Sequence, residues 1–166
     1  MENQESLKLR LLSVLEEDCR IPLEKLAVML DASITDCAAA IDEMEKDGVI
    51  LMYRPVVNWD KIQSNRVEAM IEVRVTPQRD MGFDAIASRI YRFDEVKSVF
   101  LMSGGYDLLV LVEAATLKEL AGFVSEKLSV LDTVTGTATS FVLKRYKQDG
   151  VIFEHAARDN RVAIMP

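Results

Sequence analysis

The sequence predicts an α+β protein of two units, a helical one followed by a strand-bearing one. Two observations carry this. The apolar period is helical from Leu7 to Met44 and turns into a two-residue alternation from Val67. The charge breaks between the same points. Residues 1–52 hold five Lys and Arg against twelve Asp and Glu, a net −7, and the remainder balances to zero. The 166 residues, 49% of them apolar, are enough to bury a core and exclude a disordered chain.

The first helix follows Leu7, Leu11 and Leu15, widened by Leu12 and Val14. The second opens at Pro22, whose missing N–H is not needed in a first turn, and runs through Leu23, Leu26, Ala27 and Leu30. Asp31 and Ala32 break it. Ser33 caps the third helix, with Asp36 three residues on, and Ile34, Cys37, Ala38, Ile41 and Met44 form its buried face. Gly48 stops that helix. The β-prone run over residues 50–57 reads as a wing strand. Two helices joined by a short turn and braced by a third make a winged helix-turn-helix over residues 1–57. Such bundles most often read DNA. A polar connector, residues 58–66, follows.

Val67, Ala69, Ile71, Val73 and Val75 alternate with polar residues as a half-buried strand. Phe83, Ile86, Ala87 and Ile90 mark an amphipathic helix, and residues 96–102 a second strand. Ser103, Gly104 and Gly105 make a turn before an apolar strand over residues 108–112. Thr116 and Glu119 form a capping box for a helix buried through Leu117, Leu120, Ala121, Val124 and Leu128. A last strand occupies residues 133–146. The order βαββαβ is a ferredoxin-like sandwich over residues 67–147, with helices on one sheet face. The other face, with Met70, Phe100 and Leu109, is too apolar to stay wet, so a homodimer through the sheets is expected. Residues 148–166 form a tail, its two apolar runs expected to make a hairpin or arm.

The ordered set comprising residues 11–15 with Arg20, Leu26-Ala27, Ser33, Ile41, Gly48-Val49-Ile50, Ser103-Gly104-Gly105-Tyr106-Asp107-Leu108 and residues 137–143 resembles the Lrp/AsnC family of transcription regulators. The resemblance implies a dimer or ring of dimers that binds promoter DNA and senses an amino acid or related small molecule. Carried onto this chain, the effector loop is Gly104, Gly105, Tyr106 and Asp107, with Thr135 and Thr137 adding hydroxyls. Loop N–H groups suit a carboxylate, and Asp107 suits an ammonium.

The reader helix departs from the family. Its outward face is read as Thr35, Asp36, Ala39, Ala40, Asp42 and Glu43, with Ala40 where the family commonly has Arg. DNA contact then falls to Ser33, Thr35, Ala39 and Ala40, with Lys8, Arg10, Arg20, Lys25 and Arg54 for phosphates. The alternative is a module whose acidic helix-turn-helix meets a protein instead. No catalytic set is present, since the single histidine, His155, has no partners for base and nucleophile roles. Cys19 and Cys37 have neither metal-ligand nor redox spacing. No metal, cofactor or membrane segment is expected, and the location expected is cytoplasmic.

Overall fold

The computed structural model describes residues 2–62, 65–77 and 82–153. The chain divides into two compact units, residues 1–57 and 58–166.

The first unit holds α1 (Glu2–Glu17), α2 (Leu23–Leu30) and α3 (Ile34–Lys46). Leu11 from α1 packs with Leu26, Ala27 and Leu30 from α2 and with Cys37, Ala40 and Met44 from α3. The α2–α3 turn is set locally. Asp31 takes the left-handed conformation at φ 49°, and the Ala32 N–H returns to the Ala27 carbonyl at 3.0 Å. Ser33 then accepts the Asp36 N–H at 3.0 Å, as an N-cap does. Gly48, at φ +70°, ends α3, and the Val49 and Ile50 N–H groups both reach the Met44 carbonyl.

Two expectations fail here. Residues 51–57 form no strand, and Leu51 is 87% exposed. A lone extended segment has no ladder to join, so β-propensity by itself does not make a wing. Ile34 stands 48% exposed at the first position of α3, one turn before its buried stripe starts at Cys37.

The second unit runs β1 (Val67–Val75), α4 (Phe83–Ile90), β2 (Val96–Leu101), β3 (Leu108–Ala114), α5 (Leu117–Gly122) and β4 (Val134–Phe141). The sheet order is β2-β3-β1-β4 and every pairing is antiparallel, the expected ferredoxin-like arrangement. Ala69, Ile71, Val73 and Val75 point to the helix side with Leu108, Val110 and Val112, where Ile86, Ile90, Leu120 and Phe123 cover them. The Phe123 ring meets Phe93 edge-on at 5.6 Å. On the opposite face Met70 and Phe100 remain 43% and 50% exposed, beside half-buried Leu109 and Leu111.

The last helix departs from the simple period. After α5 the chain continues as a π-helical segment, Phe123–Leu128. Its i→i+5 register carries burial from Phe123 to Leu128, while Leu117 and Ala121, expected inside, lie exposed. Strand β4 stops at Phe141 rather than reaching residue 146. It pairs with β1, and β1 begins at Val67, so residues beyond the Val142 N–H bond to Glu68 have no strand beside them.

The chain then turns through a hairpin, β5 (Lys147–Gln148) with β6 (Val151–Ile152), over Asp149 and Gly150 at φ 47° and 79°. That sign pair is the type I′ turn that two-residue hairpins favour. The apolar run at residues 162–165 lies outside the described residues. The two described ends of the connector are docked. Arg66 stacks 3.8 Å over Trp59 and pairs with Glu113, and the Asn58 amide donates to the Phe153 carbonyl.

Candidate functional site

The first candidate surface is the exposed side of α3. Ser33, Thr35 and Ala39 are exposed on it, with Asp36, Asp42 and Glu43. Ala40 is not. It is 5% exposed and packs in the core, three residues after Cys37 and four before Met44, on the same stripe. It offers no methyl to a base, and the outward face is correspondingly narrower and more acidic.

The basic residues around α3 sort into two groups. Lys8 is paired with Glu43 at 2.8 Å, and the Arg10 guanidinium donates to the Leu30 carbonyl at the end of α2. Both are engaged within the bundle. Arg20, Lys25 and Arg54 are exposed and form no ion pair among the described residues. With Lys46, exposed in the last turn of α3 and likewise without an ion pair among the described residues, they are the cations left for phosphate.

Although residues 51–57 are not a strand, Tyr53 ties them to α3. Its hydroxyl donates to Glu45 Oε1 at 2.8 Å. Burial, then the Glu45 hydrogen bond and charge, push the Tyr53 phenol from 10.0 up to about 12. The folded state thus favours the neutral phenol. The contact is whole below the ordinary tyrosine value and is lost as pH rises through about 12. Of the four tyrosines, one should ionise late in an ultraviolet absorbance titration, and Glu45→Gln should return it toward 10.0.

Cys37 is fully buried, and burial pushes its thiol up, so it acts as a small core hydrophobe. Among the described residues no cluster of His, Cys, Asp and Glu could hold a metal ion.

The second candidate site lies where the loop between β2 and β3 meets the end of β1. The Asp107 N–H donates to the Val73 carbonyl at 3.0 Å, and Asp107 Oδ2 accepts the Val75 N–H at 2.8 Å. Between those two anchors, Arg74 Nε donates to the Gly105 carbonyl at 3.2 Å. On the other side of β1, the β4 register slips between Arg74 and Val75. Arg74 pairs with Gly136 and Val75 with Val134, which leaves Thr135 as the extra residue of a bulge. Its hydroxyl donates to the Arg74 carbonyl at 3.2 Å. Thr137 pairs with Val73 one step further along.

The structure therefore brings Asp107, Gly105, Thr135 and Thr137 to one short stretch of β1, with exposed Gly104 and half-buried Tyr106 in the same loop. Asp107 also has a fold role, since one oxygen is committed to a backbone N–H. Neither Gly104 nor Gly105 has a positive φ, and a Cβ added to either would meet nothing within 4 Å. The fold of the single chain does not demand glycine here; the space above the loop is open. Arg74, on the exposed side of an alternating strand, carries no mark in the sequence of its bond to the loop. No pattern marks a strand arginine that reaches a loop carbonyl.

Among the described residues no helix is long and apolar enough to cross a membrane. Two family models match the chain in order: a winged helix-turn-helix DNA-binding domain over residues 4–50 and the Lrp/AsnC ligand binding domain over residues 68–152. A Bacillus subtilis protein described as an uncharacterized HTH-type transcriptional regulator, YugG, is 45% identical over 157 residues, 94% of this chain and 95% of its own. A proline dehydrogenase transcriptional activator of Rhodobacter capsulatus is 30% identical, covering 78% of this chain and 84% of its own. Among solved structures, a leucine response regulatory protein of Mycobacterium tuberculosis superposes with TM-score 0.73 at 19% identity, covering 89% and 98% of the two chains. A Neisseria meningitidis transcriptional regulator solved with L-Met superposes with TM-score 0.69 at 23% identity, covering 86% and 91%. Both share the fold.

Proposed function

The chain belongs to the Lrp/AsnC family of transcriptional regulators, and from that premise we propose how its two units divide the work. The first unit binds promoter DNA, with Arg20, Lys25 and Arg54 on phosphates and Ser33, Thr35 and Ala39 nearest the bases. The second unit takes an amino acid or related small effector at the loop of residues 104–107, with Thr135 and Thr137 beside it. The protein regulates rather than catalyses, needs no cofactor or metal, and works in the cytoplasm, where promoter DNA is. The observation that carries the reading is the α2–α3 turn, whose left-handed Asp31 and Ser33 cap aim the outer side of α3 away from its own core.

Fluorescence anisotropy with DNA from upstream of the protein's own gene tests it. Salt-sensitive binding that changes when amino acids are added supports the reading. No binding at micromolar protein and low salt overturns its DNA half.

The open sheet face supports a homodimer, or rings built from one. Met70, Phe100, Leu109 and Leu111 form an apolar field that a second copy buries. Met70→Glu puts another carboxylate beside Glu72 on that field, and covering it then requires burying an unpaired charge. Sedimentation equilibrium should show dimer affinity reduced by about tenfold or more, with circular dichroism unchanged.

A second reading rests on one observation. Lys8 and Arg10 are engaged internally while Asp36 and Asp42 remain exposed, so the α3 face is acidic. In that reading the first unit meets a basic protein surface, and the anisotropy experiment separates the two.

A further inference from the structure

We propose that Asn58, Trp59 and Arg66 determine operator spacing: they clamp the connector onto the second unit, so that the two reading heads of a dimer accept one separation of DNA half-sites. The proposal rests on the DNA and homodimer readings above and adds to them the residues that select between operators.

The argument starts from where the chain is held. On the side of the first unit the last anchor is Tyr53, whose hydroxyl donates to Glu45 Oε1 at 2.8 Å. On the side of the second unit the first anchor is Asn58, whose amide donates to the Phe153 carbonyl at 3.4 Å. Phe153 is itself fixed. Its N–H donates to the Tyr146 carbonyl at 3.0 Å, and its ring lies 5.3 Å from Arg145, which pairs with Glu68 on β1. Between the two anchors stand only Arg54, Pro55, Val56 and Val57, which make no hydrogen bond among the described residues. Pro55 stiffens even this short stretch.

The connector that follows adds no length, because it is folded back on the sheet. The Lys61 and Ile62 N–H groups return to the Asn58 and Trp59 carbonyls at 3.3 and 3.1 Å. Arg66 then lies 3.8 Å over the Trp59 ring and pairs with Glu113 on β3 at 2.6 Å. A guanidinium that stacks by its face and pairs at its edge is held in both plane and position. Trp59 packs outside the apolar core of this unit, so the clamp is not a by-product of core packing.

Tether length decides what two linked heads can reach. An extended chain spans about 3.5 Å per residue, so residues 54–57 reach about 14 Å and residues 54–66, freed of the clamp, about 45 Å. Two short tethers engage both half-sites only at a matching separation on one face of the duplex, and the gain from linkage is lost where geometry forbids the second contact. Long tethers accept many separations at a lower effective concentration.

The test uses the full-length protein. Wild type selects duplexes from a random-sequence pool, and sequencing gives the two half-sites. Anisotropy then compares the best duplex with one carrying about five extra base pairs between the half-sites, half a helical turn. Wild type should lose about 100-fold or more in affinity on insertion. Asn58→Ala with Arg66→Ala should keep its circular dichroism spectrum and its dimer in sedimentation, and should lose less than about 10-fold on the same insertion. Arg66→Lys, which keeps a cation for Trp59 and Glu113, should behave as wild type does. A double variant that keeps the wild-type ratio between the two duplexes overturns the proposal, whether or not its affinity for both falls. So does a wild-type dimer indifferent to the insertion. If wild type selects no DNA the DNA reading fails, if it sediments as a monomer the dimer reading fails, and either failure takes this proposal with it.

Discussion

Leu11→Ala unfolds the first unit and leaves the second intact. Leu11 is fully buried at the meeting point of α1, α2 and α3. Removing its branch costs about 2–5 kcal/mol through lost transfer energy and the cavity left behind. A unit of this size holds about 3–5 kcal/mol in total, so the loss is comparable with its whole stability. The two units have separate cores, so the damage stays local. The single tryptophan, Trp59, belongs to the second unit, stacked under Arg66. Helical ellipticity should fall at ambient temperature while the tryptophan emission of Leu11→Ala still reports a folded second unit. One shared transition in both signals would mean that the units fold as one.

The double charge reversal Lys25→Glu with Arg54→Glu abolishes tight DNA binding. These residues are exposed and unpaired among the described residues, whereas Lys8 and Arg10 are committed internally. Each phosphate contact releases roughly 0.9 counterion, so two per chain and four per dimer lower the salt slope by roughly 3–4. Affinity at about 0.1 M salt should fall by about 100-fold or more, alike for every sequence, because phosphates carry no sequence information. Lys8→Gln combined with Glu43→Gln serves as the contrast: it removes an ion pair of zero net charge and should change the salt slope little. Equal binding by the double variant and wild type would move the function of α3 to its acidic surface.

Much of the architecture was legible because period reports burial. The alternation from Val67 and the helical runs before it located α1 to α3, β1, α4 and β3 to within a few residues. The caps at Ser33 and Thr116 were legible because each needs only one side chain and one N–H three residues on. What escaped depends on partners far along the chain. Whether residues 50–57 form a strand depends on a second strand, and where β4 ends depends on where β1 begins. Alanine carries almost no hydrophobic signal, so composition does not mark Ala40 as core, although its spacing to Cys37 and Met44 places it inside. The π-helical segment shifted the α5 stripe by a register that a 3.6 period does not contain. The loop of residues 104–107 was legible as a motif. Its tie to Arg74 was not, because a wet-face arginine in an alternating strand looks like any solvated residue.

The stretch that failed to become a wing has a consequence for the protein's life in the cell. Leu51, Met52, Tyr53 and Arg54 lie exposed without strand pairing, at the border of the two units. Proteases cut extended, accessible chain of this kind. A single cut there severs the reader from the sensor and spares both cores. If copies pair through the open sheet face, as proposed, the freed sensor keeps that face, joins intact chains and makes pairs with one reading head. Such pairs lose the gain that two tethered contacts give. Proteolysis at this strap would therefore not simply remove the regulator; each fragment would disable a whole one, a dominant poison set by the ratio of cut to uncut chains.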